Sequence, residues 1–288
     1  MISIVIPTKN SARTLNLCLK SIEIQSYPHE FIEILIVDSY SEDDTINIAQ
    51  RYNCKIIYSK MRPLGARYIG FLASKGDIIM FIDADHILAR RDLLFDIVNY
   101  INKGYEILHL EEISFNPRTL IQKLIAMDRY TNQQISKHMP LNWGTLYPRV
   151  FKRTIISRVY SKIPKQIIVS IHEHEDVIIH YEAISITRKH TSIPRALFHV
   201  DEEKFWSFLK KITQYGSMDS FTKSLVPKKY KYAIMQKQAF RIRELPYLLE
   251  KHFNYLPGVL LLLGIKYLAY KYGNIKGCSE GNILFHKS

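Results

Sequence analysis

The chain has 288 residues, 47% hydrophobic and 23% charged, the balance of a soluble globular protein with enough chain for a sizeable core. Forty Lys and Arg against 27 Asp and Glu leave a formal net charge of +13, and Asp201–Ser288 alone carries +8 of it. That excess suits nucleic acid, anionic lipid or phosphorylated substrates, or is simply a solvated basic surface. The three cysteines (Cys18, Cys54, Cys278) are too widely spaced for a zinc pattern or a disulfide framework, so buried, reduced thiols in an intracellular compartment are expected.

MISIVIP starts as a strand-like apolar run without a basic segment ahead of it, which predicts no signal peptide. Ser11 offers an N-cap to a helix whose Leu15, Leu19 and Ile22 recur at helical spacing. IEILIVD reads as a second strand, SEDDTINIAQRY as a helix, KIIYS as a third strand, PLGARYIGFLAS as a helix and DIIMFID as a fourth strand. This alternation predicts an α/β protein with a doubly wound, mainly parallel sheet, which binds ligands beyond the carboxyl ends of its strands. Asp38 and Asp83 both fall on that rim. After Ile101 the alternation loosens: YEILHLEEISF reads as a strand, PRTLIQKLIAMDRYTNQQI as a helix, NWGTLYPRVF as irregular or a short strand, and EDVIIHYEAIS as a helix. RALFHV is a brief strand, and the character changes near Val200, beyond which the chain reads helical. The longest uninterrupted apolar run there, VLLLLGI, is far short of the roughly 20 residues that cross a bilayer, so no transmembrane span is expected.

Several segments could carry chemistry. In DADH, Asp83 and Asp85 on an extended backbone would point the same way, an arrangement suited to a divalent cation or to two hydrated acids. Gly65 and Arg67 in PLGARYIG offer close backbone approach at a helix start and a fork of donors, or merely a packing glycine in a Pro-initiated helix. HEHEDVIIH lacks the zinc-protease register; its acids suit a helix N-terminus or a general base.

Taken in order, SIVIPTKNSARTLNLCLKSI, IEILIVDSYSEDDT, GARYIG and FIDAD, followed by HEHED and RALFHV with its trailing helix, resemble the family-2 glycosyltransferases of the GT-A fold. The resemblance spans residues 1–216: a nucleotide-binding half over 1–101 and an acceptor half over 102–216, with 217–288 as a helical, basic extension. It implies a nucleoside-diphosphate sugar donor, with Asp38 reading the base, Pro7 and Thr8 lining the same pocket, and Gly65 and Arg67 near the diphosphate or ribose. It implies Mn²⁺ or Mg²⁺ on Asp85, with His199 as a further ligand. Asp83, beside Ala84, would hold the ribose or join the metal. Asp176 is the implied general base of a one-step inverting transfer, with Glu175 second and Glu173 third. LNWGTLYPRVFKR is similar to the family's acceptor loop, where Trp143 beside Gly144 would stack on a sugar or pack the core. The Q-x-x-R-W signature of processive synthases is absent.

The expected acceptor is a hydroxyl, on a glycan or a lipid-linked glycan; the alternative within the fold is a polyprenyl phosphate, which needs no base. A nucleic-acid partner rests on net charge alone and is not expected. The basic, aromatic-rich tail would lie on the cytoplasmic face of a membrane, pack on the core or form a dimer contact.

Overall fold

A computed structural model describes residues 1–136, 147–171, 173–243, 249–251 and 253–284, with side chains left out of that description at 220, 239–243 and 277–284. The chain divides into two compact units that interleave along the sequence. The first comprises Met1–Phe115, Leu146–Ser170 and Ile178–Val200, and the second Asn116–Thr145, Ile171–Val177 and Asp201–Ser288.

The first unit is an eight-stranded sheet with helices. Strands β1 (Ile2–Thr8), β2 (Ile32–Asp38), β3 (Cys54–Tyr58) and β4 (Ile78–Phe81) form a parallel block in the order β3-β2-β1-β4. The order continues β7 (Pro148–Lys152), β6 (Ile107–Ser114), β8 (His190–His199) and β5 (His86–Leu88). β7 runs antiparallel to both β4 and β6, β8 parallel to β6, and β5 antiparallel to β8. The sheet is therefore mixed but mostly parallel, and its first block matches the expected alternation. β1 has no exposed face: Ile2, Ile4, Val5 and Ile6 are fully buried, which is why it reads as a continuous apolar run. Helix α1 (Ala12–Glu23) buries Leu15, Cys18, Leu19 and Ile22 on one stripe. The Ser11 side chain makes no cap hydrogen bond; the Ala12 N–H is instead taken by Asp43 Oδ2 at 3.0 Å, which ties the loop after β2 to this helix start.

Helices α2 (Thr45–Gln50), α3 (Pro63–Ala73) and α4 (Leu93–Asn102) complete the first half. α6 (Arg153–Lys162) and α7 (Lys165–Ser170), which the sequence reading did not assign, follow β7. Cys18 is buried and Cys54 partly so, and burial pushes the Cys54 thiol up to about 12.

β6 carries a buried histidine, His109, whose ring lies 5.9 Å from that of His180 and 5.4 Å from that of His190. Burial, then repulsion from those two rings, pushes His109 down to about 3. An unfolded His109 takes its proton near 6.5 and the folded one only near 3. Its contribution is therefore intact above pH 6.5 and lost as the pH falls toward 3. We expect folding stability to drop by about 2 kcal/mol between pH 8 and pH 5 from this group. Urea melts at the two pH values should show that drop shrinking in His109→Leu; an unchanged pH slope would assign it elsewhere.

The second unit is helical: α5 (Leu120–Ser136), the first turn of α8 (Glu175–Ile186), α9 (Phe205–Leu225), α10 (Lys228–Arg243) and α11 (Leu256–Leu284). Ile121, Leu124, Phe208 and Leu262 form its main apolar cluster. Buried acids are paired: Asp128 accepts from Lys266 Nζ at 2.6 Å, and Asp201 from Arg129 Nη2 at 2.6 Å.

Candidate active site

The carboxyl ends of β1 and β2 meet at register partners Thr8 and Asp38. Asp38 is fully buried; its Oδ1 accepts from Thr8 Oγ1 at 2.8 Å and Ser41 Oγ at 2.6 Å, and its Oδ2 from the Ser41 N–H at 2.8 Å. Its side chain thus shapes the turn after β2, whereas the resemblance implies a carboxylate open to a base. Pro7, one residue before Thr8, is partly exposed on β1. What that turn does present is Tyr40, half exposed and held at φ +56°, an uncommon backbone for an aromatic residue. Its ring lies 5.6 Å from that of Tyr58, the last residue of β3, and Lys60 Nζ sits 5.7 Å from its centroid. Two exposed aromatics at a sheet rim, tilted 32° to one another, offer faces on which a planar ring can lie. The sequence signal, a tyrosine at each strand end, was there to be read and was missed.

Asp83, Ala84 and Asp85 do not continue the strand. β4 ends at Phe81, and the His86 N–H closes a turn on the Asp83 carbonyl at 3.0 Å. In place of the extended backbone on which both carboxylates were expected to point the same way, the turn gives Asp83 to Arg67 and Arg149. Asp85 instead faces His199. β5 and β8 pair His86 with His199, the Val200 N–H bonds the Asp85 carbonyl at 2.8 Å, and His199 Nε2 lies 3.5 Å from Asp85 Oδ2. Asp85, His86 and His199 bring one donor atom each within 4.8 Å of one another. The remaining oxygen, Asp85 Oδ1, is buried without a hydrogen-bond partner among the described residues, a costly state unless a cation completes it. The carboxylate suits Mn²⁺ and Mg²⁺ alike and the imidazole favours Mn²⁺, so the residues fit the expected metal, manganese the better of the two. His86 is the weaker donor. Its Nδ1 accepts the Asp83 N–H at 2.9 Å, which leaves the ring proton on Nε2, 3.4 Å from Glu112 Oε1.

Asp83 belongs to a charged cluster behind the turn. Arg67 Nη2 bonds its Oδ1, and Arg149 Nη1 its Oδ2 at 2.9 Å; Arg149 Nη2 reaches Glu112 Oε1 at 2.7 Å, and the guanidinium lies over Tyr147 at 4.2 Å. Burial alone would raise the Asp83 carboxyl, but the two guanidinium groups outweigh it and hold the group well below the usual carboxylate range. Gly65 is a packing glycine: a Cβ there would stand 2.8 Å from Met61 Cβ and 2.9 Å from the Ile168 carbonyl oxygen. The packing alternative of the sequence reading thus has its contacts here.

The acidic segment lies in the second unit. Asp176, in the first turn of α8, is ion-paired with Lys237 of α10. Burial would raise its carboxyl, but the Lys237 ammonium outweighs burial and lowers it. Glu175 precedes it as the first residue of α8. Glu173 is pushed up to about 8 by burial and by the charges of Glu175 and Asp176. His174, at φ +65°, shares a 2.7 Å hydrogen bond with buried Asp219. The structure thus brings Asp85 to His199 and Arg67 to Asp83 in one unit, and places Glu175 and Asp176 in the other. Trp143 and Gly144 lie outside the described residues.

The sequence matches Glycosyl transferase family 2 over residues 3–159, more than half of the chain. The chain belongs to that family and has its α/β GT-A fold, with a helical C-terminal part. Among curated proteins it is 33% identical to glycosyltransferase AglE of Haloferax volcanii over 91 residues, covering 29% of this chain and 30% of the relative. It is 32% identical to the glucosyl-3-phosphoglycerate synthase of Petrotoga mobilis over 120 residues, covering 36% and 37%. The matches thus span about a third of those relatives' length. Among solved structures, Staphylococcus aureus TarS 1–349 in complex with UDP-GlcNAc superposes at a TM-score of 0.58 with 16% identity, covering 93% of this chain and 81% of that one. The mannosyltransferase PcManGT of Pyrobaculum calidifontis, in complex with GDP-Man and Mn²⁺, gives 0.55 with 17% identity, covering 96% and 84%.

Proposed function

We propose that this chain moves a sugar from a nucleoside-diphosphate sugar to an acceptor hydroxyl, with inversion, at the rim formed by the ends of β1, β2 and β4. The observation that carries the reading is the Asp85–His199 pair, with one buried carboxylate oxygen awaiting a partner. Asp85 and His199 hold the cation. A bound Mn²⁺ or Mg²⁺ supplies positive charge for the diphosphate that departs. Tyr40 and Tyr58 offer faces to the nucleobase, and Thr8, oriented by Asp38, lies at the same strand ends. Arg67 and Arg149 fix Asp83, and so the turn that carries Asp85.

Asp176 accepts the proton of the attacking hydroxyl. Lys237 keeps that carboxylate ionised, as a base requires. Glu173, pushed up to about 8, still holds its proton at pH 7 and is poorly suited to the task. Asp176→Asn should lower kcat by a factor of about 100 to 10,000 on a hydroxyl acceptor, the usual worth of general-base catalysis, with donor affinity unchanged. Steady-state kinetics beside donor calorimetry would check both, and full activity of the variant on a polyprenyl phosphate would move the reading to an acceptor that needs no base. The reading as a whole is tested by a thermal-shift screen of UDP- and GDP-sugars: stabilisation by at least one donor with Mn²⁺ and none with EDTA is expected. Failure of every donor in both conditions would defeat it.

A further inference from the structure

Helix α11 is apolar around its whole circumference but buried on only one side. Val259 and Leu262 are buried. Gly216 of α9 and Gly273 of α11 let the two backbones touch: a Cβ on Gly216 would stand 2.0 Å from the Tyr270 carbonyl oxygen, and one on Gly273 1.9 Å from that of Thr213. On the other side Leu260, Leu261, Tyr267, Leu268, Tyr272 and Ile275 are 48–71% exposed. They recur at helical spacing, a stripe about 22 Å long at 1.5 Å per residue. The stripe runs into a groove of about 310 Å³ whose walls come from Leu120 and Leu124 of α5, Phe205 of α9, and Leu261 and Ile265 of α11, with Glu203 at its edge. Beside that groove Trp206 is 78% exposed. So much contiguous apolar surface marks a place where something binds.

The charge around it selects the occupant. Lys271 and Lys276 are exposed on α11 itself, Lys228 and Lys229 at the start of α10, and Asp201–Ser288 carries 15 basic residues against 7 acidic. Leucines and isoleucine with tyrosines beside them, Lys271 within the stripe over Tyr267 and Lys276 at its side are the composition of a helix lying in a headgroup layer, where a lysine's stem is covered and its ammonium reaches the headgroups. Phe253–Lys276 is also long and apolar enough to cross a bilayer; Lys266 and the tyrosines interrupt the run and hid that from the sequence reading. Crossing would carry its packing partner α9 into the lipid with it, and α9 holds Lys210, Lys211, Asp219 and Lys223. α9 already occupies one side at backbone contact, and Lys266 is committed to buried Asp128 at 2.6 Å.

We propose that the exposed stripe of α11, with the Leu120–Phe205–Leu261 groove, docks this protein on the surface of an anionic phospholipid bilayer, with α11 lying in the interface. This goes beyond the proposed transfer and does not depend on it. The test is flotation of the full chain with vesicles of phosphatidylcholine alone and with roughly a third phosphatidylglycerol. Binding to the anionic vesicles that weakens with salt is expected. It should fall at least about tenfold in the triple variant Leu261→Glu, Leu268→Glu, Ile275→Glu, since each change removes apolar surface and adds like charge. All three side chains are exposed, so the melting temperature should not move. Any of the following results would overturn the proposal. One is no flotation with either vesicle, or equal flotation of the triple variant. Another is a lipid-free dimer, seen by sedimentation, that the triple variant dissociates. The last is wild-type protein that stays with the vesicles through alkaline carbonate and leaves only in detergent, as a spanning helix would.

Discussion

Asp85→Ala should lower Mn²⁺-dependent donor affinity by at least about 100-fold, since losing a metal ligand forfeits several kcal/mol of charge stabilisation. Yet it should leave the metal-free protein no less stable. The reason is the state of the side chain: Asp85 is partly buried, its Oδ2 has His199 at 3.5 Å, and its Oδ1 has no partner among the described residues. Removing an unsatisfied acceptor relieves a desolvation cost. The Asp85→Ala variant should therefore melt at or slightly above the wild-type temperature in EDTA and lose the added stabilisation that Mn²⁺ and donor give wild type. Calorimetry and thermal melts of both proteins check this. A variant that unfolds, or binds donor as wild type does, would make Asp85 a structural acid.

Arg149→Met should behave in the opposite way, costing about 3–5 kcal/mol of folding stability. Arg149 is 6% exposed and bridges Asp83 and Glu112. Burial works against its charge, but the two carboxylates outweigh that and keep it protonated. Its removal strips a guanidinium from Glu112, 16% exposed and 3.4 Å from the His86 imidazole, and leaves Asp83 to Arg67. Methionine restores much of the volume over Tyr147 and none of the charge. Urea unfolding should show the loss, with Arg149→Lys intermediate because an ammonium cannot bond both acids in one fork. A loss under about 1 kcal/mol would mean that Arg67 and His86 suffice, and that the pair behaves as an ordinary surface bridge.

These two residues also mark where the sequence could be read and where it could not. The parallel block was legible because each of its strands and helices carries its own periodicity: ISIVIP buried on both faces, Leu15, Leu19 and Ile22 on one helix stripe. Asp85 was legible as an acid just beyond a buried strand. Its geometry was not, because the turn at Asp83 depends on the His86 N–H and Nδ1, and the approach of His199 depends on β5 pairing with β8. Arg149 lay inside a segment read as irregular or a short strand. It becomes a site residue only when β7 inserts antiparallel between β4 and β6, a long-range pairing that local pattern does not encode. Gly65 stayed ambiguous for a related reason: a glycine that admits a phosphate and one that admits the Ile168 carbonyl look the same in one dimension. The exposed face of α11 was hidden because apolar residues on both sides of a helix leave no stripe to read.

The account rests on a cation between Asp85 and His199. A crystal soaked with Mn²⁺ and a bound nucleoside diphosphate, measured for anomalous scattering at the manganese edge, tests it most directly. The expected result is one peak in direct contact with Asp85 Oδ1 or Oδ2 and His199 Nε2. Nucleotide density at the rim with no manganese there, or manganese held by other residues, would contradict it.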